Sequence, residues 1–313
     1  MRHIVLLLVL ILVVVVSGCA TLPFNSQPRN VATEVNPNQP GQLSNKGVTL
    51  KFVEGKPPQD RIRIGIPFRL EALLQNWGTK DISGIVYLSD TPTGNLEAIP
   101  GRISRSFLIK GREAEFGQTV VEEEIDFDTF AYSYSSLTNA AIRAELEYDY
   151  EADFITQLCV KGEEANVREQ ECTSRTSFSI NDLGPDARNS PVAITSIKQQ
   201  TDAVNDQAFV TLIITFQDFG GSDGWINNED RSLNIAGAIN LEGSGVFNCN
   251  QNIIKFTDTI KTREAYCTLT VSLPAETNYF QNPLIIKLAY PYKTVVATKQ
   301  IPVVAVEQEF NQF

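Results

Sequence analysis

Histidine and methionine are almost missing from this chain. The single histidine is His3 and the single methionine is Met1, so nothing past the third residue carries an imidazole or a thioether. That removes Ser-His-Asp and Cys-His nucleophile systems and imidazole-ligated zinc from everything downstream. No Cys-x-x-Cys pair is present, so the close ligand spacing of structural zinc sites is missing too. Cations are scarce: 26 Lys and Arg stand against 37 Asp and Glu, a net charge of −11. A chain this acidic has no electrostatic case for nucleic acid, and anionic lipid headgroups repel it. A long amphipathic helical pattern is lacking as well. These absences argue against a cofactor and against most hydrolytic chemistry, leaving paired carboxylates as the remaining catalytic option.

What is present begins at the N-terminus. Arg2 and His3 precede thirteen uninterrupted apolar residues, Ile4 to Val16, followed by Ser17, Gly18 and Cys19. A charged start, an apolar run and small residues make a secretory signal. The run is short for a membrane span, which needs about 20 apolar residues. Val16-Ser17-Gly18-Cys19 resembles the lipobox of bacterial and archaeal lipoproteins. The resemblance implies cleavage after residue 18 and lipid attachment to the Cys19 thiol. Loss of Arg2 would take the net charge to −12. The lipid, rather than a basic patch, then holds the chain at the membrane; each buried CH₂ contributes about 0.8 kcal/mol.

Residues 19–47 are rich in Pro, Asn, Gln and Ser without periodicity, which predicts an extended tether. From residue 48 the pattern is all-β. Val48-Thr49-Leu50-Lys51-Phe52, Phe68-Arg69-Leu70-Glu71-Ala72 and Ala144-Glu145-Leu146-Glu147-Tyr148 alternate apolar and polar residues between turn-forming segments. The second half echoes the first at an offset of 142 residues. Gln75-Asn76-Trp77-Gly78 aligns with Gln217-Asp218-Phe219-Gly220, and Tyr148-Asp149-Tyr150 with Tyr290-Pro291-Tyr292. The same offset pairs Leu70 with Leu212, Phe127 with Leu269 and Leu146 with Leu288. Two tandem immunoglobulin-like β-sandwich domains are expected, 48–182 and 190–305, joined by the turn-rich Asp182–Pro191 and followed by a polar tail at 306–313.

Leu74-Gln75-Asn76-Trp77-Gly78 followed by Ile82-Ser83-Gly84-Ile85-Val86-Tyr87-Leu88 reads as strand, Asn-x-Gly turn, strand. This resembles prokaryotic cell-surface immunoglobulin-like modules of the CARDB type. The resemblance implies a seven-stranded sandwich that serves as a spacer or binding module.

Setting Cys19 aside leaves Cys159, Cys172, Cys249 and Cys267. An even number in an exported chain predicts two disulfides. Of three connectivities, Cys159–Cys172 with Cys249–Cys267 is favoured, because each pair stays within one expected domain. The repeated Tyr-x-Tyr pairs are expected to be architectural: ring packed, hydroxyl bonded to a neighbouring loop. Asp218, Asp223 and Asp230 lie in an oxygen-rich loop and form a candidate calcium site, although the spacing departs from an EF-hand. Polar turn residues account for that loop equally well. Glu124, Asp126 and Asp128 alternate with Ile125 and Phe127, which predicts a solvated strand face. Trp77 and Trp225 are expected in core or turn packing. No catalytic residue is assigned. The expected role is a non-catalytic structural or binding module, lipid-anchored outside the cytoplasmic membrane. Its partners would be the membrane, through the lipid, and a protein or surface polymer. A subunit of a larger envelope assembly is the alternative, and a carboxylate-based carbohydrate-active enzyme ranks behind both.

Overall fold

The alternating segments fold as strands throughout. The computed structural model describes residues 47–91, 99, 101–113, 120–133, 139–162, 172, 175–220, 222–274 and 279–305. The expected signal segment 1–18, Cys19, the expected tether up to residue 46 and the tail 306–313 lie outside the described residues. Among the described residues no helix is long and apolar enough to cross a membrane.

The strands are β1 (Val48–Phe52), β2 (Ile62–Arg63), β3 (Phe68–Asn76), β4 (Ile82–Thr91), β5 (Ile103–Ile109), β6 (Val121–Phe130), β7 (Asn139–Lys161) and β8 (Ser177–Ser179). Two 3₁₀ turns, Ile180–Asp182 and Asp186–Arg188, follow. Then come β9 (Val192–Val204), β10 (Gln207–Asp218), β11 (Gly224–Ile226), β12 (Ser232–Asn234), β13 (Ile239–Leu241), β14 (Gly245–Val246), β15 (Asn248–Cys249), β16 (Ile253–Lys255), β17 (Thr262–Ser272), β18 (Tyr279–Ala297) and β19 (Ile301–Val304).

A broad central sheet runs through both halves of the sequence, with β7 and β18 side by side at its middle. β4 and β5 continue it beyond β7, and β13 and β14 beyond β18. A three-stranded sheet, β1-β3-β6, and a five-stranded sheet, β15-β17-β10-β9-β8, complete the layers. Only β12 and β16 form a separate ribbon. On β7 the even-numbered side chains from Ala140 to Phe154 are buried, and on β18 so are Leu284, Ile286, Leu288, Tyr290 and Tyr292. Period-two burial on one face is what a sheet covered on that side requires. These residues belong to one continuous apolar core that also includes Leu70, Leu74, Leu212 and Ile214 of the smaller sheets.

The correspondence of the two halves is visible in strand pairing. β1 pairs with β3 so that Val48 faces Asn76, and β9 pairs with β10 so that Val192 faces Asp218. Ala72 of β3 faces Ile125 of β6, while Ile214 of β10 faces Ala265 of β17. The offset is therefore 142 from β3 to β10 but 140 from β6 to β17. Phe127 corresponds to Cys267, two residues from the Leu269 that a uniform offset selects. A register shift between Arg69 and Glu71, with Asp128 at φ 80°, adds a one-residue irregularity to β6 beyond Asp126.

The segment between the halves is packed rather than extended. Leu183, Ala187 and Ser190 are fully buried. Asp186 accepts the Asp153 backbone N–H at 3.1 Å and the Thr79 hydroxyl at 2.7 Å. All described residues belong to one compact unit.

Candidate functional site

The feature that most sets this chain apart is the seam between β7 and β18. They pair antiparallel over nineteen positions, from Tyr279 opposite Lys161 to Ala297 opposite Arg143. Tyr148 stands opposite Tyr292, Tyr150 opposite Tyr290, and Asp149 opposite Pro291. Asp149 and Pro291 are also equivalent under the 142-residue repeat, so a local two-fold axis passes through that pair. It is an isologous contact of the kind that joins two subunits, made here within one chain.

Four tyrosine rings cluster around this axis. Centroids are 5.9 Å apart for Tyr148–Tyr292 and 5.8 Å for Tyr150–Tyr290, with 6.2 Å and 6.1 Å along each strand. These separations suit tilted and edge-to-face aromatic pairs. All four rings are buried, so every hydroxyl needs an internal partner. The Val192 N–H donates to the Tyr290 hydroxyl at 3.0 Å, and that hydroxyl donates to the Val192 carbonyl at 3.2 Å. Tyr148 does the same at Val48, at 3.3 and 3.4 Å. Each tyrosine thus ties the first strand of its half to the seam. Tyr292 donates to Asp218 at 3.2 Å, and Tyr150 to the Asn189 carbonyl at 3.5 Å. Burial pushes all four phenols well above the ordinary tyrosine range; the nearby charge of Asp218 adds to the effect on Tyr292, and that of Asp186 to the effect on Tyr150.

The turn motifs support the same cluster. Asn76 Oδ1 accepts the Gly78 N–H at 2.9 Å, and Asp218 Oδ1 accepts the Gly220 N–H at 3.0 Å. Each is a side-chain turn that ends a strand and brings a glycine against a tyrosine hydroxyl. A Cβ on Gly78 would lie 2.9 Å from the Tyr150 hydroxyl. On Gly220 it would overlap both the Tyr292 hydroxyl and the Gly224 carbonyl.

Asp218, Asp223 and Asp230, the candidate calcium residues, each have a partner within the chain. Asp218 is buried and turned inward to Gly220 and Tyr292, with Lys261 Nζ 3.5 Å away. Asp223 accepts the Ser222 hydroxyl at 2.8 Å, and Asp230 pairs with Lys255 at 2.7 Å. Among the described residues no three acidic, thiol or imidazole groups converge on a metal position. The three carboxylates serve a turn, a local bond and an ion pair.

Cys159 is joined to Cys172 and Cys249 to Cys267. The second pair links directly opposed residues of β15 and β17. Glu124, Asp126 and Asp128 are exposed while Ile125 and Phe127 are buried. Trp77 is buried and donates to Thr49 at 3.3 Å. Trp225 faces Arg231 and Lys293, whose cationic groups lie 5.2 and 5.9 Å from its ring centroid.

A second set of seam contacts has no signature in the sequence motifs. On the opposite face of the central sheet, Lys293 of β18 binds Glu145 and Glu147 of β7 at 2.7 and 3.1 Å. Arg102 reaches the same two carboxylates, and Arg143 pairs with Glu145. Burial works against ionisation of Glu145, but Lys293, Arg143 and Arg102 outweigh it and hold the group below the usual carboxylate range. Alternation of Glu with apolar residues at 145–147 marked these acids as outward-facing. Only the register of β7 against β18 reveals their partner.

Among the described residues, a cleft of about 550 Å³ is lined in part by Glu54, Asp60, Arg61, Ile62, Arg63 and Phe68. Another of about 350 Å³ lies beside Cys159, Arg175 and Asp182. Hydrogen bonds from the Ser179 N–H and hydroxyl, reinforced by Arg175, draw Asp182 down. Lys110 and the Gly111 N–H do the same to Asp81, and the Asp128 N–H with Arg69 to Asp126.

No protein-family model matches this chain, and a search of curated proteins finds no match.

Proposed function

We propose that this chain is a lipid-anchored protein of the cell envelope, displayed outside the cytoplasmic membrane as a non-catalytic structural or binding module. The observation that carries the reading is Val16-Ser17-Gly18-Cys19 at the close of the apolar run Ile4–Val16. Two disulfides support it, since they persist in oxidising compartments outside the cytoplasm. The 142-residue repeat and the paired sheets support a further statement, that the body comprises two tandem immunoglobulin-like sandwiches, similar to CARDB-type surface modules. The tyrosines, which would be the natural aromatic platform for a sugar, are spent on the seam and support an architectural role.

The second reading is a subunit of a larger envelope assembly. It is favoured by β5, which pairs only with β4 among the described strands and leaves an edge open to strand addition. Replacement of the anchor residue tests the main reading. In the native host, the wild-type chain should sediment with membranes and partition into detergent, while Cys19→Ala should leave the membrane fraction. A Cys19→Ala chain that stays membrane-bound at the wild-type level would overturn the lipid anchor.

A further inference from the structure

Two outward sheet faces occupy register-equivalent positions in the halves of this chain, and their chemistry differs. In the three-stranded sheet, Glu71 of β3 stands opposite Asp126 of β6; in the five-stranded sheet the equivalent pair is Ile213 of β10 and Tyr266 of β17. Arg69 is likewise replaced by Thr211, and Glu122 by Thr262. Only Glu124 keeps an acidic counterpart, Glu264. The first face carries ion pairs such as Arg69–Asp126 and Lys56–Glu71, with the Glu71 carboxylate itself buried. The second has lost four of those five charges, although both faces serve the same fold.

The neutral face has the anatomy of an interface. Ile213 is the seventh of twelve residues on β10, and β10 is the third of five strands, so the Ile213–Tyr266 pair sits near its centre. Tyr266 and Phe209 are each 46% exposed. Thr211, Thr215, Thr268 and Thr270 surround them with uncharged side chains. On the outward face of the three long strands charge is confined to Lys198, Asp202 and Glu264, on a chain whose net charge is −11. Depletion of charge around a central aromatic and aliphatic anchor distinguishes docking surfaces from ordinary surface.

We propose that this face is an interface between two copies of the chain. Strands spaced about 4.8 Å apart and rising ~3.4 Å per residue give roughly 500–900 Å² over three to five strands. A standard interface needs about 800 Å² per partner. Self-association also fits the charge: two strongly acidic bodies can meet only where each has shed its acids. A two-fold axis along β10 sets Lys198 of one copy over the row of Tyr266 in the other. It places Asp202 over Thr270 and Glu264 over Ser196, so no acid faces an acid.

Sedimentation equilibrium of the full chain in neutrally buoyant detergent tests this. Loading at ~100 µM stays well above about 1 µM, the weak end expected for an interface of this area. The wild type should show twice the mass of one chain. Tyr266→Asp and Ile213→Glu restore the acids of the equivalent face and should each raise the dimer dissociation constant, fitted over a dilution series from that loading, at least tenfold, with the far-UV circular dichroism of the folded chain unchanged. Leu108→Asp, at an exposed apolar residue of β5, should remain dimeric. A monomeric wild type would leave the face to another protein or a surface polymer and overturn the proposal. So would a larger oligomer, or a dimer indifferent to both substitutions.

Discussion

Tyr290→Phe removes one oxygen from the seam and little else. The ring keeps its neighbours, Tyr150 at 5.8 Å and Tyr292 at 6.1 Å, so the apolar packing survives. What is lost is the acceptor for the Val192 N–H at 3.0 Å and the donor to the Val192 carbonyl at 3.2 Å. A buried donor left without its partner costs about 1–3 kcal/mol. For a unit of this size each kcal/mol moves the melting temperature by about 2–4 °C, so a fall of roughly 2–12 °C is expected. Circular dichroism melts of the purified, disulfide-intact chain measure it. Tyr148→Phe should cost less, because its bonds to Val48 are longer, 3.3 and 3.4 Å. Tyr266→Phe, at an exposed tyrosine, should stay within about 0.5 kcal/mol of wild type. If Tyr290→Phe melts with Tyr266→Phe, the seam hydroxyls do not hold the first strands in place and the reasoning is wrong.

Further outcomes follow from the same contacts. Gly220→Ala should destabilise by about 1–3 kcal/mol or more through overlap with Tyr292 and the Gly224 backbone. Gly78→Ala, which meets only the Tyr150 hydroxyl and Asn76 Oδ1, should cost clearly less; equal denaturation midpoints would contradict this. The buried phenols titrate above their unfolded value, so their stabilisation is complete below the ordinary tyrosine range and declines as pH rises through it. Tyrosinate absorbance should therefore rise in two stages, the exposed residues first and the seam only with unfolding; a single stage would refute it. Glu145 has the opposite sign: its stabilisation is full above the usual carboxylate range and is lost as pH falls through its lowered value. Lys293→Met should move acid unfolding to higher pH, and an unchanged acid midpoint would count against the ion-pair account.

The sequence carried much of this because strands announce themselves by alternation. Ala144 to Tyr148 reads directly as a half-buried strand, and Ala144, Leu146 and Tyr148 are the buried members. The recurring Tyr-x-Tyr pair marked an architectural element. A repeat offset, however, states which residues are equivalent and not which residues touch. That Tyr148 meets Tyr292 rather than its equivalent Tyr290 is a matter of antiparallel register across the local axis. The inward turn of Asp218 was hidden for a related reason. Spacing lists oxygen atoms near one another but does not tell whether a carboxylate faces the loop or the core. One clue was available: its counterpart, Asn76, holds the same turn without a charge, so the position asks for an acceptor and not for an anion. The Lys293–Glu145–Glu147 contacts were hidden because their partners lie 146 and 148 residues apart. The differing sheet faces needed the 140-residue offset of β17, which only the pairing of β6 with β3 reveals.

The claim that organises the account is that Cys19 ends as the lipidated first residue of an exported, disulfide-bonded chain. Intact-mass analysis of protein extracted from host membranes tests it most directly. The expected species begins at residue 19, carries the added mass of attached lipid, and gains four hydrogens on reduction of Cys159–Cys172 and Cys249–Cys267. A chain that still begins at Met1, or one cut elsewhere without lipid, would contradict the anchor and the function proposed from it.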